Sequence, residues 1–172
     1  TERIAEACSK IDSEIIVNIQ GDEPLLYPQH IDKIVSPMIA DDKIQVSIGV
    51  SSFSKINSLS DIKAVLDLNN DILYCSRNDI PCNYSKKNDL HLWKLVFIVP
   101  HRKKWIKKYL EWDPTPLEII EDNHFLRLIE NGVKIKAIEV NDAKISVDTS
   151  EDLEEVIQLM KNDKLKSTYM NA

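Results

Sequence analysis

The chain has 172 residues, of which 43% are apolar, and it carries 22 Lys and Arg against 28 Asp and Glu for a net charge of −6. This length suits one domain with a sizeable core, and the acidic balance disfavours nucleic-acid and membrane-surface partners, which require clusters of Lys and Arg. The three glycines are too scattered to form a G-x-G-x-x-G or G-x-x-x-x-G-K-[ST] phosphate loop.

The first half of the chain alternates strands with a helix. The β-branched run Ile15–Ile19 predicts a buried parallel strand, and apolar residues at helical spacing predict a helix over 31–39. A second strand is predicted over 46–50. Two further apolar runs, 62–66 and 72–74, flank a turn-rich loop and predict a hairpin.

The second half of the chain is predicted to be mainly helical. A strand over 95–99 precedes a short basic helix over 103–110. Thr, Pro and Glu at the start of 115–131 form a helix-capping pattern, and a glycine follows its last residue. A strand over 133–140 and a capped helix over 150–161 complete the prediction.

This order of elements predicts an α/β sandwich with a mixed sheet, built as a single domain over residues 1–172. Cys8, Cys75 and Cys82 form no C-x-x-C pair, which favours a reducing compartment, and we expect a cytoplasmic protein. The longest apolar run has far fewer than the ~20 residues needed to span a bilayer. The chain opens on Thr1 inside a predicted helix, so we expect either that its start has been removed or that it is a piece of a longer protein.

Two carboxylates are candidate ligands for Mg²⁺. Asp22 lies in the polar turn after the first strand, at the sheet edge where α/β proteins bind ligands, and Asp148 precedes the final helix. Mg²⁺ takes one or two carboxylates together with substrate phosphates. In the alternative interpretation, Asp22 caps the next helix and Asp148 is favoured by a helix dipole. Gly21 permits a close approach of the backbone to a ligand.

Arg77 and His124 are candidate substrate-binding residues. Arg77 follows a predicted strand, where its guanidinium can hold a carboxylate through two hydrogen bonds. A surface salt bridge is the alternative. His124 is in phase with the apolar positions of the predicted helix over 115–131, so we expect it to be half-buried or at the edge of a pocket.

Several motifs together resemble the 3-deoxy-manno-octulosonate (Kdo) cytidylyltransferase family, also called CMP-Kdo synthetases. They follow the family order along nearly the whole chain: TERIAE at 1–6, VNIQGDEPL at 17–25, IKAVLD at 62–67, LYCSR at 73–77, TPLE at 115–118, and VDT with EDL at 147–153. The QGDEP run and the VDT–EDL pair make the resemblance specific.

The resemblance implies a nucleotidyl transfer on a Rossmann-like fold of the nucleotide-diphospho-sugar transferase type. The anomeric hydroxyl of an eight-carbon ulosonic acid attacks the α-phosphorus of CTP, pyrophosphate leaves, and the CMP-sugar serves lipopolysaccharide or capsule synthesis. The catalytic residues implied are Asp22 and Asp148, which hold Mg²⁺. The substrate-binding residues implied are Gln20, Gly21, Arg77, Arg3 and His124. Among these, Gln20 contacts the sugar and Arg77 faces its acid group, and a homodimer is implied.

The sequence departs from the family pattern at the sugar-binding positions. Leu95 and Val99 replace a sugar-contacting His and Tyr, while His124 and Phe125 replace a Glu-Gln pair. The changes favour either another acidic sugar, including a sialic-acid-like one, or a different mode of Kdo binding. The Arg/Lys/Gly-rich triphosphate loop that opens the family pattern does not occur, so we expect the chain alone to bind CTP poorly. A non-catalytic sugar-binding or partner subunit is the alternative from another class.

Overall fold

A computed structural model describes residues 2–86, 91–141, 146–147, 149–163 and 165. Its helices are α1 (Glu2–Ser9), α2 (Pro28–Ala40), α3 (Lys103–Tyr109), α4 (Pro116–Glu121), α5 (Phe125–Glu130) and α6 (Ser150–Met160). Its strands are β1 (Ile15–Ile19), β2 (Val46–Phe53), β3 (Lys63–Leu66), β4 (Ile72–Ser76), β5 (Leu92–Val96), β6 (Ile98–Arg102) and β7 (Ile135–Glu139). The described strands form one sheet, which confirms the predicted mixed α/β architecture.

Strand β2 is the centre of this sheet. On one side it pairs in parallel with β7, from Val46 opposite Ile135 to Val50 opposite Glu139. On its other side it pairs antiparallel with β6 at its start and with β5 at its end. The order of the remaining strands is β1-β6-β2-β5-β3-β4. The β2–β7 pair is the parallel one among the described strands, and it makes the sheet mixed.

The prediction of a buried parallel strand at β1 is correct in position and wrong in environment. β1 pairs antiparallel with β6, from Ile15 opposite Arg102 to Ile19 opposite Ile98. Its residues are half-buried, and Ile19 is exposed. Among the described strands β1 has one partner and lies at the sheet edge, so its β-branched residues cover one face of the sheet instead of filling an interior.

The predicted strand over 95–99 is divided at Phe97. β5 ends at Val96 after pairing with β2 and β3, and β6 begins at Ile98 and pairs with β1 and the start of β2. Phe97 itself lies between the two strands, at the point where the chain changes partners. The ring stacks on Phe125, with centroids 6.2 Å apart, at the edge of a large cleft.

The predicted helix over 115–131 is two helices, because the chain turns sharply between α4 and α5. Asp122 adopts a left-handed conformation, with φ of 48°, and Asn123 is buried beneath it. The Asn123 side-chain amide donates to Cys75 Sγ at 3.1 Å, and its oxygen accepts from the Phe125 N–H at 3.1 Å. Gly132, with φ of 75°, ends α5 as predicted.

The core covers both faces of the sheet. Val46, Ile48 and Val50 pack on one face of β2 with side chains from α5. The alternate residues of β2 face α2. There the Ser47 hydroxyl donates to the Ile34 carbonyl at 2.9 Å, and a Cβ at Gly49 would lie 3.0 Å from Ile34 Cδ1. Val96 of β5 also lies 3.0 Å from this Cβ position, so close packing on both sides favours glycine here.

Candidate active site

A cleft of about 1090 Å³ opens between the loop after β1, helices α1 and α3, and the turn that joins α4 to α5. Five of the predicted site residues line it together: Gln20, Gly21, Asp22, Arg77 and His124. They come from three distant parts of the sequence. The residues implied by the family resemblance and those predicted from their position after a strand therefore line one cleft.

Asp22 has the properties of a ligand-binding carboxylate. Its Oδ1 atom is buried and has no hydrogen-bond partner among the described residues. The alternative role as a helix cap is wrong, because α2 begins after Tyr27 and has no side-chain cap. A buried carboxylate oxygen without a donor is costly unless a cation or a polar ligand satisfies it. The residue therefore fits a Mg²⁺ ligand.

The loop that carries Asp22 is joined to the segment before α6. The Val147 N–H donates to the Asp22 carbonyl at 2.9 Å. Asp148 follows Val147 in the sequence and lies outside the described residues. Beyond it, Thr149 caps α6 as predicted, with reciprocal hydrogen bonds to Asp152. Within the described ranges, no group of three or more His, Cys, Asp or Glu is arranged to hold a metal ion.

Arg77 is held at the cleft wall by backbone carbonyls. Its guanidinium donates to the carbonyls of Leu59 and Glu121 at 3.1 Å and of Asp122 at 3.4 Å. The Glu121 carboxylate accepts from the Arg77 backbone N–H at 3.0 Å and from Ser76 at 2.7 Å. Burial would raise the pKa of Glu121, but these donors outweigh it and lower the pKa. The result is a guanidinium with a fixed position.

His124 lies at the cleft edge, as expected, but in the turn before α5 and not on a helix face. Its side chain is 64% exposed, and Nδ1 lies 3.0 Å from Glu118 Oε1. Glu118 is itself held by Arg127, through 2.5 Å and 2.7 Å hydrogen bonds, and by the Tyr109 hydroxyl at 3.1 Å. Burial would raise the pKa of Glu118, but the bonds from Arg127, His124 and the Thr115 backbone lower it to about 2.

Sequence reasoning missed an ion pair in the cleft wall, between Lys94 of β5 and Asp61. The signal was a lysine inside an otherwise apolar strand. It also missed His101 of β6, a buried histidine that lines the cleft. Burial lowers the pKa of His101 to about 4, so its ring is neutral near pH 7.

The predicted site residue Arg3 belongs to α1, and its side chain lies outside the described part of the chain. Its neighbours Ile4, Ala7 and Cys8 line the cleft. The prediction for Arg3 therefore remains a prediction about a helix that borders the site.

Comparison with known families identifies the chain. A family model described as cytidylyltransferase matches residues 1–135. The chain belongs to the cytidylyltransferase family. Its relatives include the 3-deoxy-manno-octulosonate cytidylyltransferase of Geobacter metallireducens, which is 37% identical over 92% of this chain and 67% of its own length. The enzyme of that name from Fusobacterium nucleatum subsp. nucleatum is 34% identical over 96% of the chain and 69% of its own length.

Solved structures place this cytidylyltransferase in the same fold. A CMP:2-keto-3-deoxy-manno-octonic acid synthetase, solved in complex with CTP, superimposes with a TM-score of 0.86 at 29% identity. The match covers 93% of this chain and 67% of the other. The inositol-1-phosphate CTP transferase from T. maritima gives a TM-score of 0.61 at 17% identity, covering 93% of this chain and 60% of its own, and shows the fold alone.

The departures from the family pattern fall at different depths. His124 and Phe125 line the cleft and are not fully buried, so they are able to change what it accepts. Val99 also borders the cleft, but it is 1% exposed and packs in the core cluster. Leu95 is fully buried in the core cluster, so the expectation that it borders a sugar is wrong. Its side chain faces the core because Lys94, the preceding residue of β5, faces the cleft and successive strand residues point to opposite faces.

Proposed function

We propose that this chain is part of a cytidylyltransferase that converts Kdo and CTP into CMP-Kdo and pyrophosphate. The observation that carries the proposal is the cleft in which Gln20, Gly21 and the unpaired carboxylate oxygen of Asp22 lie together. The names of the relatives, which are up to 37% identical, support the same reaction. Because the chain spans about two thirds of those relatives, the active enzyme is expected to be longer than these 172 residues.

In this proposal Asp22 and Asp148 hold Mg²⁺. The hydrogen bond between Val147 and the Asp22 carbonyl supports the pairing, since Asp148 is the next residue in the sequence. When bound, the ion offsets the negative charge of the triphosphate and promotes loss of the proton from the sugar hydroxyl. Both carboxylates are ordinary oxygen ligands for such an ion.

The remaining site residues orient the sugar. Gln20 contacts its hydroxyls, and the guanidinium of Arg77 faces its carboxylate. Arg77 suits this role because three backbone carbonyls already fix its position, which lowers the entropy cost of binding the acid. In-line attack of the anomeric hydroxyl on the α-phosphorus then depends on this orientation, and positioning supplies much of the rate in such transfers.

A second candidate is a cytidylyltransferase for a different acidic sugar. It is favoured by the apolar lining of the cleft at Phe97, Val99 and Phe125, where the family pattern is polar at the last two positions.

We further propose a cytoplasmic homodimer. Two observations support this: the cysteines are unpaired, and α4 exposes the apolar residues Ile119 and Ile120. Light scattering of the full-length protein tests the dimer, and a monomer would refute it. No described helix is long and apolar enough to cross a membrane.

The test is pyrophosphate release by the full-length protein with CTP, Mg²⁺ and a panel of ulosonic acids. We expect the highest kcat/KM with Kdo, and a higher value with another acid would support the second candidate. Asp22→Asn and Asp148→Asn should each lower kcat more than about a hundredfold without lowering the melting temperature. This loss exceeds the one expected for a residue that only hydrogen-bonds to a metal ligand. If none of the sugars on the panel gives pyrophosphate release, the proposal that the protein is an enzyme is refuted, and a non-catalytic binding subunit is favoured.

A further inference from the structure

The cleft wall contains an ion pair whose position suggests a role in building the site. Lys94 lies in the middle of the sheet, where β5 pairs with both β2 and β3. Its side chain is 15% exposed, and it pairs with Asp61, whose side chain is 8% exposed. A buried charge of this kind must be matched by well-placed partners.

Asp61 is fixed from two directions. Its carboxylate accepts a 2.5 Å hydrogen bond from the Ser58 hydroxyl. Its backbone carbonyl accepts from the ammonium of Lys63, at 2.9 Å, and Lys63 has no exposed side-chain surface. Lys63 also donates to the carbonyls of Ser58 and Arg77. Asp61 therefore presents its carboxylate from a rigid loop, and the Lys94 ammonium is held by it.

From this position Lys94 reaches the segment that carries Val147. Its ammonium lies 3.3 Å from the hydroxyl of Ser146, a buried residue, and donates a hydrogen bond to it. The next residue, Val147, donates its N–H to the Asp22 carbonyl. One continuous series of contacts thus runs from Asp61 through Lys94 and the 146–147 segment to the loop of Asp22.

We propose that Lys94 is a positioning residue that, through Ser146, holds the 146–147 segment against the loop that bears Asp22. The expected consequence rests on the proposed function: by holding this segment, Lys94 raises the affinity of the Asp22 loop for a divalent cation. Outer-shell contacts of this kind typically change metal affinity by about 10–100-fold when they are removed.

The chain offers a closely matched control in Lys136 of β7. Lys136 pairs with Asp71, with side-chain exposures of 23% and 11%, on the same sheet but outside the residues that line the cleft. Lys94→Met and Lys136→Met each remove the lysine of a largely buried Lys–Asp pair, although Asp71 retains Lys134 as a partner at 3.0 Å. Ser146→Ala is the milder second variant, because it leaves the Lys94–Asp61 pair intact.

The direct measurement is amide hydrogen exchange at Val147 in the full-length protein. We expect Lys94→Met and Ser146→Ala to accelerate this exchange more than tenfold, and Lys136→Met to leave it unchanged. The Val140 amide, which donates to the Val50 carbonyl at 2.8 Å, reports general destabilisation and should be unaffected by Ser146→Ala. Lys94→Arg should restore part of the protection. Val147 exchange in Ser146→Ala within twofold of wild type would overturn the proposal.

The second measurement is calorimetric titration with Mn²⁺ alone. Lys94→Met should weaken binding about tenfold relative to Lys136→Met. Equal affinities in these two variants would overturn the inference, provided that the wild type binds the ion and Asp22→Asn does not. If the wild type binds no Mn²⁺ while Val147 exchange changes as expected, the positioning role stands and the metal assignment under the proposed function fails.

Discussion

Replacing Glu118 by Gln removes the charge from a cluster that includes the cleft residues Tyr109 and His124. The Glu118 carboxylate receives two bonds from Arg127 and others from Tyr109, His124 and the Thr115 backbone. Its pKa is lowered from 4.5 to about 2. At about 1.4 kcal/mol per pKa unit, this difference corresponds to about 3 kcal/mol of stability. Removing one partner of a buried ion pair costs a similar amount.

The sign of the pH dependence follows from the direction of this shift. Because the pKa of Glu118 is lower in the folded protein, its contribution is complete above about pH 4.5 and is lost as the pH falls toward 2. Glu118→Gln should therefore lower the free energy of unfolding by about 3 kcal/mol at pH 7. The gap between the variant and the wild type should narrow progressively below pH 4.5.

Urea denaturation at a series of pH values measures this gap. Glu130→Gln is the matched control. Glu130 is exposed and lies outside the cluster, and it too accepts a hydrogen bond from α4, donated by the Leu117 N–H. Its effect should stay within about 0.5 kcal/mol. A gap for Glu118→Gln below about 1 kcal/mol at pH 7, or one that is the same at pH 7 and pH 3, would refute the argument.

Two further sets of variants test packing and the cleft. Gly49→Ala should destabilise the protein by about 1–3 kcal/mol, because its Cβ would lie 3.0 Å from Val96 Cβ, and an unchanged thermal midpoint would contradict this. At Gly21, an added Cβ would have no atom of the described residues within 4 Å, so Gly21→Ala should keep the wild-type thermal midpoint. If a ligand fills that space, the variant should have a lower kcat/KM in the full-length enzyme. Unchanged kinetics would refute a role of Gly21 in ligand binding. Exposed Cys82 should react with a thiol reagent at pH 8. Buried Cys75, whose pKa is raised to about 12 by burial, should stay unreactive until the protein unfolds. Rapid labelling of Cys75 in the folded protein would contradict its burial.

Local sequence signals predicted most of the elements. The β-branched run of β1 and the capping residue Thr149 were sufficient, because strand propensity and helix capping act within a few residues. The breaks at Phe97 and Asp122 were not predictable in this way. The first arises where a strand changes partners, and the second turns on a contact between Asn123 and Cys75, far apart in the sequence.

The candidate site was predicted where a motif was continuous and missed where it was dispersed. Gln20, Gly21 and Asp22 form one run, and the structure places all three in the cleft. Lys94 and Asp61 form a pair only after β3 and β5 associate. A lysine inside the apolar strand β5 indicates an unusual charge, but the sequence does not identify Asp61 as its partner. Such pairs require the fold before they are recognisable.

The central position of β2 has a consequence for the order in which the protein acquires its structure. Its parallel partner β7 begins at Ile135, so Val46 and the residue opposite it are separated by about half of the chain. Contacts between distant residues carry a large loop-closure entropy and slow folding. During synthesis, the edge of β2 that binds β7 stays unpaired until β7 has left the ribosome. Until β7 pairs with it, the nascent chain is therefore exposed to strand-to-strand aggregation at this edge.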